Sequence, residues 1–517
     1  MRGQGFVCVI SCSIIGRVCA AAQSIGGIRL ENKVYDALII GAGVTGCAIA
    51  RVLSKYALRV AVVEAASDVA TGASGANSGI VHSGYDAKPG TLMAKLNVRG
   101  NALFDVWAEQ LEVPLGRCGS MVLAFEPKDE AHLAELLDMG QKNGVPDLRI
   151  LTGDEAREME PALSPDVVSA LYAPSSGITC PYEMTIACAN NAADNGVDFY
   201  FDWRVTDIKR QGEMFCVSSG ERSMTAAYVI NAAGVYADAI ARMVGDDSFC
   251  IQARRGEYLL MDREAGGKVY TVIFQPPSAM GKGVLVSPTV DGNLFAGPSA
   301  YDQDDREDAS VLDEGIAVIK HLAQRSVPDL EWNKVITLFA GVRAVADTGD
   351  FIIKPSDKDA RVLLAAGISS PGLSSAPAIA EEIEALLMAA LTREGKPPQV
   401  KADWQPRRKA IGHFRIMTAQ QRQRAIAENP LYARIVCRCE MVTEAEIVEA
   451  IHKAPGATTV DAVKRRTRAG MGRCQGGFCA PRVMQILSRE LGVPMEAITK
   501  KGGASRMVLG KLRGDGQ

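Results

Sequence analysis

Apolar and polar positions along this chain fall into a few distinct patterns. The first is the short continuous apolar run. Val34-Tyr-Asp-Ala-Leu-Ile-Ile40 and Leu58-Arg-Val-Ala-Val-Val63 are of this kind, and such runs predict buried parallel strands. Between them, Ala48, Ile49, Val52 and Leu53 recur at helical spacing after Gly41-Ala-Gly43-Val-Thr-Gly46. Strand, glycine turn, helix and strand together predict a βαβ unit that binds a dinucleotide. In that unit Gly41 permits the tight turn, Gly43 lets backbone approach a pyrophosphate, and Gly46 lets helix and strand pack closely. The helix N-terminus faces the phosphates. Glu64 ends the second run, 23 residues after Gly41, where a carboxylate can accept from ribose hydroxyls.

The pattern then separates FAD from a plain nicotinamide cofactor. Ala70-Thr-Gly-Ala-Ser-Gly-Ala-Asn-Ser-Gly79 is a loop of small and hydroxyl residues where another helix would otherwise follow. Val229-Ile-Asn-Ala-Ala-Gly234 is a later strand running into a glycine turn. Ala365-Ala-Gly-Ile-Ser-Ser-Pro-Gly-Leu-Ser-Ser-Ala-Pro-Ala-Ile379 is a third strand, loop and helix, whose N-terminus can stabilise negative charge on a reduced flavin. Three separated loops of this kind predict an extended FAD. Between them lie strand-like runs such as Tyr258-Leu-Leu-Met261 and Gly283-Val-Leu-Val286, read as an antiparallel substrate domain over the flavin.

The expected fold is α/β: a Rossmann-like FAD-binding domain with an inserted antiparallel α+β substrate domain, followed by a small helical C-terminal domain. The FAD part is placed at about 34–117, 173–245 and 339–395, and the substrate part at about 118–172 and 246–338. Lys396-Pro-Pro and Trp404-Gln-Pro mark 396–430 as a linker, with the small domain at 431–495 and a tail at 496–517. Phe6-Val-Cys-Val-Ile-Ser-Cys-Ser-Ile-Ile15 resembles a secretory signal, but a start placed too far upstream is the preferred reading of residues 1–33. The run is well short of the ~20 residues that span a bilayer.

Composition narrows the partners. The 517 residues are 47% hydrophobic and 23% charged with a net charge of −3, which gives no electrostatic reason to expect nucleic acid. Thirteen cysteines without a compact secreted framework point to the reducing cytoplasm.

Four of those cysteines are grouped: Cys437-Arg-Cys439, then Gly472-Arg-Cys474-Gln-Gly-Gly-Phe-Cys479. Soft thiolates so gathered predict a metal or iron–sulfur site. Zinc is the rival, although four-cysteine zinc sites usually use wider pairs than Cys437-x-Cys439. Lys464, Arg465, Arg466, Arg468 and Arg473 lie near Cys474, and cations there favour a reduced cluster. Cys479 precedes Pro481 and an amphipathic run to Leu491, which places it at a helix N-terminus.

The segment Cys437-Arg-Cys-Glu440 with Gly472–Cys479 resembles the [2Fe-2S] domain of the bacterioferritin-associated ferredoxin family, in the spacing fused to flavin dehydrogenases. Residues 34–390 resemble the amino-acid oxidase and glycerol-3-phosphate dehydrogenase superfamily of FAD proteins. Within it, Asn77-Ser-Gly-Ile-Val-His82, Lys88–Lys95, Pro174–Ile178 and Arg255-Gly-Glu-Tyr258 are similar to L-2-hydroxyglutarate dehydrogenases. The fused cysteine domain is similar to the catalytic subunit of anaerobic glycerol-3-phosphate dehydrogenase. These resemblances imply FAD contacts from Thr71, Ser74, Asn77, Ser78, Val205, Gly234, Gly367, Gly372 and Leu373.

For the chemistry, His82 is the expected base, with a pKa suited to neutral pH. Arg343 is the expected grip on an anionic substrate, with Lys95, Arg254 and Lys282 as further candidates. The implied reaction is oxidation of a small anionic alcohol, glycerol 3-phosphate first, with a 2-hydroxy acid or an amine as alternatives. The expected electron path runs through the cluster to a quinone or to a second flavoprotein or iron–sulfur subunit, a partner that would allow peripheral membrane contact. A non-catalytic electron-transfer subunit is the alternative of a different class.

Overall fold

The structure, a computed structural model, describes residues 33–276 and 283–510; the N-terminal apolar run and Lys282 lie outside the described residues. Strand Val34–Ile40 is apolar on both faces because both faces are covered. Ala37 and Ile39 enter one core with Ile49, Leu53 and Ile379, while Leu38 and Ile40 enter a second with Phe215, Val217 and Leu364. The strand pairs in parallel with Val60–Val63 on one side and with Arg222–Asn231 on the other. Asp198–Tyr200 extends the sheet in parallel beyond Val60–Val63. The far edge of Arg222–Asn231 is shared. Its first half takes Met214–Ser219 antiparallel, and its last residues take Val362–Ala366 in parallel. Helices Val44–Leu53, Leu92–Leu111, Pro181–Asp194 and Gly372–Arg393 cover one face.

The second sheet runs Tyr301–Gln303, Ile251–Met261, Leu294–Gly297, Leu285–Pro288, Val272–Phe274, Ser120–Ala124, Ser169–Ala173, Arg149–Thr152. Its pairings are antiparallel except where Val272–Phe274 meets Ser120–Ala124. Strand Val335–Ala346 pairs antiparallel along Ile251–Met261. The chain therefore stays in this sheet to Ala346 and rejoins the first at Ile352–Pro355, later than residue 339.

The C-terminal unit has its own small core, built from Ile447, Val463, Ile486 and Leu487 on helices Glu444–His452, Val460–Thr467 and Ala480–Leu491. Residues 396–430 are not a free linker. Gln399 O accepts from Ala57 N at 2.8 Å, and Lys401 N donates to Lys55 O at 2.9 Å. Buried Arg408 donates to Leu111 O at 2.7 Å and to Asn190 Oδ1 at 2.9 Å. The segment is a strap along the helical face of the first sheet. Its Pro and Trp residues signalled a break in periodicity, which is equally the signature of an extended chain held by its backbone.

The small domain is held mainly by charge. Asp68, 1% exposed, accepts from Arg465 at 2.6 Å and from both Nη atoms of Arg466 at 2.8 and 2.7 Å. Arg263 reaches Glu440 at 2.6 Å, and Arg473 reaches Glu264 at 2.6 Å. Arg468 bridges Glu440 and Asp291, and Arg415 also pairs with Asp291. The basic residues beside Cys474 therefore serve largely to dock the domain, and their charge is matched by carboxylates. His413 of the strap lies 3.9 Å from Glu183 and 3.8 Å from Glu446, one on each side of the junction. Burial opposes its protonation, but the two carboxylates outweigh burial and raise its pKa to about 9.

Two outcomes follow for the junction. Asp68→Ala leaves two guanidiniums without their counter-ion, one of them nearly wholly buried. Removing one partner of such a pair costs about 3–5 kcal/mol, and limited proteolysis should release the C-terminal domain much sooner than from wild type. The His413 contribution has a defined pH window. Its folded pKa is raised, so its stabilisation is complete below an unfolded value of about 6.5 and is lost as pH rises through about 9. Proteolytic release should accelerate across that window in wild type and show a flatter profile in His413→Gln.

Candidate active site

The glycine turn after Val34–Ile40 is as tight as its spacing implies. Gly41 has φ +107, and a Cβ there would lie 2.4 Å from Ala232 O; a Cβ on Gly46 would lie 1.9 Å from Gly41 O. Gly43 caps helix Val44–Leu53 with extended backbone. Glu64 stands at the end of Val60–Val63, where its carboxylate accepts from Ala42 N at 2.8 Å and Ala66 N at 2.9 Å. Burial raises its pKa against those two donors. Ser74 Oγ accepts from Val44 N at 2.8 Å, which fixes the 70–79 loop over the helix N-terminus. Asn77 shapes that loop, donating to Ala73 O at 3.0 Å and accepting from Gly79 N at 2.9 Å.

These residues open onto one cavity of about 950 Å³. Gly41, Gly43, Glu64, Thr71, Ser74, Asn77 and Ser78 line it, as do Val205, Gly234, Gly372 and Leu373. Gly46 and Gly367 do not line it. Gly46 packs behind the turn, and Gly367 bends the chain at φ +66 against Ala346. The cavity runs from the ends of the parallel strands to the face of the second sheet, a shape that accommodates an extended dinucleotide.

At the second sheet the cavity meets His82, Phe274, Tyr258, Arg254 and Arg343. The backbone of His82 is held on both sides: its N–H donates to Ser374 Oγ at 2.7 Å, and its carbonyl accepts from Asn97 at 2.8 Å and Asn101 at 2.9 Å. Its ring lies 5.8 Å from that of Phe274. Arg254 and Arg343 are directly opposite each other in the antiparallel pairing of their strands. Arg343 donates to Ser299 O at 2.9 Å, while Asp302 takes Arg254 at 2.5 and 2.9 Å. A Cβ on Gly256 would come within 2.5 Å of the Arg343 guanidinium, so that glycine makes room for it.

Two candidates fall elsewhere. Lys95 is exposed on helix Leu92–Leu111 and pairs with Glu382 at 2.5 Å; it does not line the cavity. Lys282 lies outside the described residues. Sequence reasoning passed over Tyr258, Phe274 and Ser299, which wall the same end. Arg254, Gly256 and Tyr258 are alternate residues of one strand, so period-two alternation extended from Arg254 would have found Tyr258. Phe274 and Ser299 carry no such signal.

The four cysteines meet in the C-terminal unit. Cys437 ends strand Ile435–Cys437, and Cys479 is the N-cap of Ala480–Leu491. Gly472 lets its loop pass the first pair: a Cβ there would lie 2.3 Å from Cys439 Cβ. The thiols form two pairs. Cys439 and Cys474 have sulfurs 3.9 Å apart, and the Cys479 thiol hydrogen-bonds Cys437, lowering the Cys437 pKa to about 6. Burial opposes ionisation of Cys474, but backbone N–H groups of Phe478 and Gly476 prevail and lower its pKa. Among the described residues, no three His, Cys, Asp or Glu groups converge as they would on a single metal ion. Two thiol pairs, with the 3.9 Å of Cys439–Cys474 near the separation of neighbouring ligands at one tetrahedral iron, suit a two-iron centre better than one zinc. Among the described residues, no helix is long and apolar enough to cross a membrane.

Comparison with known proteins finds a family match for each of the two units. The profile for FAD dependent oxidoreductases (DAO) matches residues 36–386, and that for the BFD-like [2Fe-2S] binding domain matches 435–489. A glycerol 3-phosphate dehydrogenase of Caloramator mitchellensis is 46% identical over 93% of this chain and 100% of its own. A mitochondrial L-2-hydroxyglutarate dehydrogenase of Nematostella vectensis is 30% identical over 54% of this chain and 65% of its own. The solved structure of the dithionite-reduced, FAD-bound L-α-glycerophosphate oxidase of Mycoplasma pneumoniae superposes with a TM-score of 0.69 at 31% identity, covering 73% of this chain and 98% of that one. The chain therefore belongs to the FAD dependent oxidoreductase family and carries a BFD-like [2Fe-2S] binding domain at its C-terminal side.

Proposed function

We propose that this oxidoreductase converts glycerol 3-phosphate to dihydroxyacetone phosphate and delivers the electrons to a protein acceptor. The observation that carries the substrate is the pairing of Arg254 with Arg343 in register on adjacent strands. Like charges directly opposite each other are destabilising, and Asp302 pairs directly with Arg254 alone, reaching Arg343 only through space. A compact anion with several oxygens, such as a phosphate monoester, satisfies both guanidiniums at once. The high identity to a glycerol 3-phosphate dehydrogenase supports the same reading.

Bound FAD supplies the two-electron acceptor, and the cluster supplies one-electron carriage. The chain's own residues do the rest. Arg343, fixed by Ser299 O, and Arg254, fixed by Asp302, anchor the phosphate. His82 takes the proton from the reacting hydroxyl, held in place by the backbone bonds from Ser374, Asn97 and Asn101. Tyr258 and Phe274 exclude water from that end. Cys439 is exposed, and Phe478, next to Cys479 in the chain, is 90% exposed, so an acceptor subunit meets the cluster where these residues reach the surface. The cytoplasm suits the ten described cysteines, all unpaired.

The reading is tested by anaerobic flavin bleaching with glycerol 3-phosphate, L-2-hydroxyglutarate and amino acids. Rapid bleaching by the first and not the others is expected; the reverse order would overturn the substrate. Arg343→Ala should weaken substrate binding by about 2–5 kcal/mol, read as a higher substrate concentration for half-maximal bleaching. His82→Ala should slow bleaching at saturation by about 10²–10⁴-fold. Wild-type rates in both variants would remove these residues from the site. Cys474→Ser should abolish the electron paramagnetic resonance signal of the reduced protein and stop turnover with the acceptor. Substrate should still bleach its flavin once.

A further inference from the structure

The cavity of about 950 Å³ is not walled by the oxidoreductase unit alone. Asp461, Arg465 and Lys501 of the C-terminal unit also line it. They sit at the Glu64 end. Ser67 and Asp68 follow Glu64 closely in the chain; Ser67 Oγ donates to Lys501 O at 3.0 Å, and Asp68 takes Arg465 at 2.6 Å. Glu64 marks where a dinucleotide places its adenosine ribose.

Two of these three lining residues are cations. Arg465 keeps 16% of its side chain accessible at the cavity wall, and Lys501 is exposed. Trp203 lines the same end, its backbone N–H donating to Glu64 O at 2.8 Å. Adenine ring nitrogens accept hydrogen bonds from such donors. Arg465 is available to a ligand because Arg466 independently holds Asp68 with two hydrogen bonds.

We propose that the [2Fe-2S] domain completes the FAD site: Arg465 and Lys501 wall its adenosine end and donate to the adenosine half of the cofactor. The domain then has two tasks, carrying electrons from the flavin end and closing the adenosine end.

FMN, which lacks the adenosine half, separates this role from a general effect on folding. The flavin of the full-length protein is removed by anaerobic bromide dialysis, with cluster absorbance checked afterwards. FAD and FMN are then titrated by fluorescence quenching. In Arg465→Met the dissociation constant for FAD should rise about tenfold or more, with that for FMN unchanged. Lys501→Met, which leaves the Asp68 contacts intact, should show a smaller rise confined to FAD. If Arg465→Met loses its cluster, Lys501→Met is read by the same criterion. Unchanged FAD affinity, or equal weakening of FAD and FMN, would overturn the proposal.

Discussion

The carbonyl of Ala232 passes so near Gly41 that a single methyl group there would sit 2.4 Å from it. The cofactor cavity depends on that closeness. It brings the ends of Val34–Ile40 and Arg222–Asn231 together, so the loops that follow each strand open onto one space. It also aligns the N-terminus of helix Val44–Leu53 with the 70–79 loop through Ser74. A side chain in this turn would separate the strands and misplace walls that come from three distant parts of the sequence. Backbone approach is a steric requirement, so it leaves a glycine in the sequence. This explains why the cofactor half was legible there.

The C-terminal unit obeys a different physics. Its interior is apolar, but its contacts with the rest of the molecule include many arginine–carboxylate pairs: Asp68 with Arg465 and Arg466, Glu440 with Arg263, and Asp291 with Arg468. Interfaces of this polarity resemble those between separate proteins more than those within one core. They confer orientation, because a guanidinium fork binds a carboxylate in few geometries. The strap at 396–430 limits how far the unit can travel. The pairs made by Glu440 and Arg473 lie next to the cysteines, Glu440 following Cys439 and Arg473 preceding Cys474, so the docking fixes the orientation of the cluster site itself.

What the sequence revealed and concealed divides along the same line. The βαβ unit, the glycine loops, the antiparallel insertion and the cysteine quartet each depend on local residue type, and each is readable locally. Lys95 was misplaced because a lysine in the first turn of a helix carries no information about which side of that helix faces the cavity; the helix turns it outward to Glu382. The opposition of Arg254 and Arg343 depends on register between strands some 90 residues apart, which hydrophobic pattern alone does not fix. The arginines before Cys474 were read as tuning a cluster because their carboxylate partners, Asp68 among them, come from far earlier in the chain. Charge pairing across such distances has no periodic signature.

The first sheet also imposes an order on synthesis. Its opening strand ends at Ile40, yet the edge that Val362–Ala366 completes stays bare until 326 further residues have emerged. At about 5–20 residues per second this wait lasts roughly 15–65 s. Throughout it one apolar face of the sheet lacks the last of the four helices that cover it, because helix Gly372–Arg393 is later still. Parallel pairing between such distant segments is intrinsically slow. The flavin cavity therefore acquires its last walls only after strand Val362–Ala366 and helix Gly372–Arg393 have been made.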